Sequence, residues 1–209
     1  FDGGDRSLPA SMPNTVTYRG LTDAQKIAIS KDFNGNGFGE RVTTAAPITT
    51  INMAWSNTKT FKNDAKLGSI VSVYYRNASI IYDDVERGRF EKARTSIFTG
   101  SEVQNRYSVN LGVMANFTYV KGATKISFRN LVNQVYEENY LNRTLDNVGR
   151  LQTISLRSNF ANQRLLLSSQ LEGEHLLSKS RGIKFIWNVN GSYNGKTQPD
   201  FRTAQFVKS

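Results

Sequence analysis

An all-β fold of long antiparallel strands is what this sequence predicts, and three observations predict it. The first is strict alternation in QNRYSVNLGVMANFTYVKGATKISFRN (104–130), where Tyr107, Val109, Leu111, Val113, Ala115, Phe117 and Tyr119 fall on every second residue. A two-residue period gives a strand one apolar and one polar face, and Ser108, Asn110, Gly112, Asn116 and Thr118 fill much of the other face. The second is the return of that pattern in IKFIWNVNGSY (183–193), with Ile183, Phe185, Trp187, Val189 and Tyr193 set against Lys184, Asn188, Asn190 and Ser192. The third is an absence: no stretch approaches the ~20 consecutive apolar residues of a membrane helix.

Taken in order, residues 1–46 read as irregular structure with one short helix in LTDAQKIAIS. There Thr22 and Gln25 have capping-box spacing, and the Asn/Gly run 34–39 stops the helix. From 47 to 209 the chain reads as wall strands and loops of a β-barrel. The first strand, ITTINMAWSNTKTF (48–61), sets Ile51, Met53 and Trp55 on one face, and LGSIVSVYYRNASIIY (67–82) does the same with Val71, Val73 and Tyr75. The alternating stretch above follows, then TKISFRNLVNQV (124–135). Residues 150–177 read as one very long strand or two shorter ones, because their alternation changes phase near Ala161, where a bulge or turn would fit. The strand 183–193 completes a count of about six to eight. Short turns (KNDAK, KGA, SKSRG) alternate with longer excursions at about 83–102, 136–149 and from 195 onward, and that inequality between two edges is the habit of outer-membrane barrels.

Strand length points the same way. Twelve steps separate Tyr107 from Tyr119, roughly 40 Å at ~3.3 Å per residue. Tilted by about 45°, that is roughly 28 Å of height, close to the ~25 Å apolar band of a membrane barrel. Tyrosines at both ends suit the two lipid–water interfaces, since the ring is apolar and the hydroxyl wants water. A soluble β-sandwich strand is the plainer alternative.

Composition narrows the function classes. The hydrophobic share, 38%, is below the roughly 45–50% apolar usage (Gly included) of ordinary soluble domains. With no cysteine, disulfides and thiolate metal sites are excluded. FDGGDRSLPASMP has neither the basic start nor the apolar run of a signal peptide. The net charge of +10 raises nucleic-acid binding. The basic residues are dispersed, however, with one local cluster at Arg87, Arg89, Lys92 and Arg94, and no nucleic-acid motif accompanies them. A basic surface beside lipid or lipopolysaccharide phosphates accounts for the charge without nucleic acid.

The motifs of possible chemistry are weak. DFNGNGFGE (32–40) matches early EF-hand positions at Asp32, Asn34, Asn36 and Gly37, but Thr43 stands where the bidentate Glu belongs, so a Gly/Asn turn is the expectation. The lone His175, in EGEH, lacks a nucleophile elbow and reads as a hydrogen-bonding group inside a barrel. The carboxylates Asp83, Asp84 and Glu86, and Glu137 with Glu138, read as solvated groups in long connections. No catalytic residue, metal site or cofactor is predicted, and the protein is not expected to be an enzyme.

The segment GDRSLPASMPN, the strand KISFRNLVNQ after a short turn, the run LLLSSQLEGEH, and the Trp-containing strand followed by PDFR (199–202) together resemble TonB-dependent outer-membrane receptors. The likeness is to the Bacteroidota type with an N-terminal carboxypeptidase-regulatory-like domain, and it covers nearly all of the chain. The resemblance implies a barrel of about 22 strands around a plug, in the outer membrane of a Gram-negative bacterium, importing a ligand with energy from the TonB complex. It implies that this chain is an internal segment, from the plug exit through the first barrel strands. The partners implied are outer-membrane lipid and lipopolysaccharide, the rest of the barrel with its plug, the TonB complex through other parts, and in some cases a surface lipoprotein.

On this reading Ile51, Met53, Trp55, Tyr107, Val109, Leu111, Val113, Phe117, Tyr119, Phe185, Trp187 and Val189 face lipid. Asn110, Asn116, Arg129 and Asn188 are the candidate ligand contacts. Two other readings stay open: a complete small barrel acting as adhesin or anchor, and a soluble basic β-rich binding module.

Overall fold

In the computed structural model, which describes residues 8–33, 43–91 and 96–208, β-structure dominates. Among the described residues two short helices precede it. Helix α1 (Thr15–Arg19) is capped by Asn14, whose side chain accepts from the Thr17 N–H at 2.9 Å. Helix α2 (Asp23–Lys31) begins with the expected capping box: Thr22 Oγ1 accepts from the Gln25 N–H, and Gln25 Oε1 accepts from the Thr22 N–H. The helix ends at Lys31, before the Asn/Gly run assigned to stop it. That run, with most of the calcium-loop pattern, lies outside the described residues, as do Lys92 and Arg94.

Six strands then form one antiparallel sheet in chain order: β1 (Thr49–Thr60), β2 (Lys66–Phe90), β3 (Ser96–Lys121), β4 (Thr124–Asn147), β5 (Gln152–Ser178) and β6 (Ile183–Lys208). Each strand's contacts are essentially with its ladder neighbours, so the sheet is a single layer with both faces open. The two edges, β1 and β6, do not pair with one another. Residues 152–178 are one strand. The phase change read near Ala161 is no bulge or turn of β5, whose ladder with β4 runs unbroken; the register shift beside it, between Ala161 and Gln163, puts the extra residue in β6, where Gln198 and Pro199 stand opposite Asn162. A bulge tolerates a proline that cannot donate to the ladder.

At one end of the sheet the turns are tight. Residues 61–65 join β1 to β2, with the Phe61 N–H donating to Ala65 O and Asp64 at φ 60°. Gly122 (φ 55°) and Ala123 join β3 to β4, and Gly182 (φ 63°) closes the turn before β6. Glycine suits such positions because a Cβ would clash in the left-handed region.

The opposite end corrects the sequence reading. Long connections were expected at about 83–102, 136–149 and beyond 195, but β2 runs to Phe90, β4 to Asn147 and β6 to Lys208. Only a 3-10 turn, Val148–Arg150, and Leu151 separate β4 from β5. Asp83, Asp84, Glu86, Glu137 and Glu138 are therefore strand residues, with Asp83 and Asp84 at a bulge where the β2–β3 register shifts. The physical reason is that ladder pairing is made by backbone groups, whereas alternation marks a contrast between faces. Where both faces are polar, the ladder continues and the pattern disappears.

Candidate functional site

Register decides which side chains share a face, because directly paired residues point to the same side of a sheet. Ile51 pairs with Tyr75, Tyr75 with Leu111, Leu111 with Gln134, Gln134 with Leu165 and Leu165 with Gly195. Two residues along, the row reads Met53, Val73, Val113, Val132, Leu167, Tyr193. Towards the tight turns it reads Asn57, Ser69, Phe117, Phe128, Leu171, Val189, and then Lys59, Leu67, Tyr119, Ile126, Gly173, Trp187. All twelve residues assigned to lipid thus lie on one face, across β1, β3 and β6.

Most of them are open to the surroundings: Met53 is 67% and Val189 63% exposed. Val109 departs from the rest at 6%, paired with the equally buried Tyr136, which meets Tyr107 edge-on at 6.4 Å between ring centroids. Among the described residues no helix and no second sheet packs across this face, and an apolar face spanning six strands exceeds the few hundred Å² of apolar patch that monomeric soluble proteins show.

Some polar side chains on this face find partners within it. Asn130 Nδ2 donates to Ala115 O at 3.2 Å, and Asn130 Oδ1 accepts from Ser169 Oγ at 2.7 Å. His175 also belongs here, paired with Thr124 and Phe185, rather than on the polar face assigned to it; it shares the odd parity of Leu171. Its Nε2 accepts from Trp187 Nε1 at 3.0 Å, its ring stacks on Phe185 and Trp187, and Nδ1 lies 3.2 Å from Thr124 Oγ1. Trp187 in turn covers Gly173, where an added Cβ would lie 2.2 Å from the indole.

The opposite face carries Asn110, Asn116, Arg129 and Asn188 by the same register, so the four candidate ligand contacts share a surface without forming one cluster. Each is engaged locally. Asn110 Oδ1 accepts from Asn133 Nδ2 at 2.8 Å, Asn116 Oδ1 from the Asn130 N–H, Arg129 pairs with Glu172 at 2.8 Å, and Asn188 Oδ1 accepts from Asn190 Nδ2.

The cluster that sequence reasoning missed is on this face, beyond the apolar band. Glu102, its side chain wholly buried, lies between Arg87 and Arg143. It accepts from Arg87 Nε at 2.8 Å, Arg143 Nε at 2.5 Å and Gln104 Nε2 at 2.6 Å. Burial pushes the Glu102 carboxyl up, but hydrogen bonds from Arg87, Arg143 and Gln104 together outweigh it and hold the group below the ordinary carboxylate range. Arg87 lies 15 residues from Glu102 and Arg143 41. No local spacing signals such a triad.

Among the described residues no group of His, Asp or Glu is arranged to hold a metal, and no helix is long and apolar enough to cross a membrane. Comparison with family models and with curated proteins gives no match for the chain.

Proposed function

We propose that these strands form part of the wall of an outer-membrane β-barrel of the TonB-dependent receptor type, which imports a ligand through its interior. The observation that carries this reading is the uncovered apolar face running across all six strands, backed by a face of Asn, Ser, Thr and paired charges. Hydrocarbon accepts the first surface and water the second, which is how a membrane strand divides its residues. Hydrogen-bonded closure such as Asn130–Ser169 suits a surface that meets no water.

Strands of 24–27 residues exceed what a bilayer needs. At ~3.3 Å per residue and a tilt of about 45° they rise roughly 60 Å, more than twice the ~25 Å apolar band. The surplus lies on the side away from the tight turns, where it forms the rim of the barrel and the mouth through which ligand enters. Open edges at β1 and β6 leave backbone groups unpaired, for which lipid offers no partner. Further strands complete the barrel, and the TonB complex supplies the energy through parts beyond these strands.

The two tryptophans, Trp55 and Trp187, test the membrane placement, since both are on the apolar face. In vesicles of acyl-brominated lipid their fluorescence is expected to be quenched, with little quenching by acrylamide in water. Quenching by acrylamide alone overturns the reading. Import itself is tested by ligand uptake that disappears when the TonB complex is inactivated.

A further inference from the structure

Some cations on the polar face have a close anionic neighbour. Glu102 is held between Arg87 and Arg143, Glu172 meets Arg129 at 2.8 Å, and Glu174 meets Lys184 at 2.7 Å beside the tight turns. One level differs. The register aligns Arg76, Asn110, Val135, Arg164 and Lys196 in a single transverse row, directly behind the apolar Tyr75–Leu111 level. Three strands, β2, β5 and β6, thereby bring a cation to one row of the ladder. The carboxylate within reach is Glu137, which stands off at 3.9 Å from Arg164, and among the described residues neither Arg76 nor Lys196 joins a salt bridge.

We infer that this row is a binding site for a multiply charged small anion bearing carboxylate or phosphate groups. This deepens the proposed function and rests on it for the enclosure of the site. Arg164 and Lys196 are one strand apart, about 5 Å, and Arg76 is three strands from Arg164, about 14 Å. That spacing matches separate oxyanions of one ligand better than a single ion. Arg164 offers a planar fork for a carboxylate or phosphate, and Lys196 a point charge beside it. Asn110 adds one amide in the same row, bridged at 2.8 Å to Asn133 of the adjoining row. On the proposed reading the row faces a water-filled interior bounded by low-dielectric protein, where neighbouring cations draw anions in. Glu137 is a built-in competitor that a ligand displaces.

Calorimetric titration of the detergent-solubilised protein with citrate and with tripolyphosphate, at low ionic strength, tests the site and separates the two oxyanion sources. Saturable binding of at least one is expected. Arg164→Gln and Lys196→Gln each weaken it about tenfold, the loss of one charge-assisted contact. Glu137→Gln tightens it, and Lys59→Gln, on the apolar face, leaves it unchanged. Absence of saturable binding, or equal weakening by Lys59→Gln, overturns the inference. So does weaker binding in Glu137→Gln. Failed anion binding with lipid quenching of Trp55 and Trp187 intact refutes this site alone, whereas lost quenching with anion binding intact refutes the membrane placement alone.

Discussion

Replacing Glu102 by glutamine removes the one charge that two arginines share. Glu102 is 1% exposed and accepts from both guanidinium groups and from Gln104, so the variant leaves two cations facing each other across a neutral amide. Breaking a buried ion pair by removing one partner costs about 3–5 kcal/mol. Arg143 is 27% and Arg87 46% exposed, so water screens part of the exposed repulsion. The lower end, about 3 kcal/mol, is therefore expected. The loss is local, because each strand leans only on its neighbours, and hydrogen exchange reads it directly. Amides of the Glu102–Arg143 and Val85–Glu102 pairs are expected to lose about 100-fold in protection, since 1.4 kcal/mol is tenfold, while those around Val113 keep theirs. Unchanged exchange at the far end would show that the triad stabilises nothing. Equal loss everywhere would show that the sheet opens as one unit.

Acid has the same target. A carboxyl held below its ordinary value contributes stability that is complete above that value, about 4.3, and that disappears as pH falls through the lower folded value; protection around Glu102 is expected to persist at pH 5 and fade below about pH 4. Val113→Arg, in the middle of the apolar face, is expected to cost about 2–4 kcal/mol of folding stability in lipid vesicles, whereas Ser168→Arg at nearly the same level of the opposite face costs under about 1 kcal/mol; urea titration of vesicle-embedded protein measures both. Gly100→Ala places a Cβ 1.9 Å from the Thr144 carbonyl oxygen, so the β3–β4 ladder must part there at a cost of about 1–3 kcal/mol, read as faster exchange at Leu145. Gly173→Val is expected to evict the Trp187 indole and break its bond to His175, seen as a shift in tryptophan emission.

The parts of this fold that could be read from the chain are those where neighbouring residues differ in hydropathy. Tyr107–Tyr119 and Phe185–Val189 alternate, and the register lines them up on one face with Ile51, Met53 and Trp55. The capping box at Thr22 and Gln25 is equally local and formed as read. Helix α1 escaped notice because TVTYR is one turn rich in β-branched residues, with only Asn14 to announce it. The far halves of β2, β4 and β6 were mistaken for loops because charged and polar residues crowd around Asp83, Glu137 and Lys196 and fall on both faces, which leaves no clean period to detect. His175 was assigned by its carboxylate neighbours rather than by parity with Leu171. The Arg87–Glu102–Arg143 triad and the Arg76–Arg164–Lys196 row join residues that only the strand register makes adjacent.

The chain-order arrangement of strands also bears on how such walls can change size. β3 ends and β6 begins at the same rim, the one with the tight turns. Excising β4 and β5 as a block would leave two strand ends ready to be sewn by a short turn, still antiparallel. Loss or gain by hairpin pairs preserves direction, and in-register splicing also preserves sidedness; a single-strand deletion would reverse the next strand's direction. Walls of this kind are thus modular in twos, and their circumference is open to duplication or recombination that adds or removes one hairpin at a time.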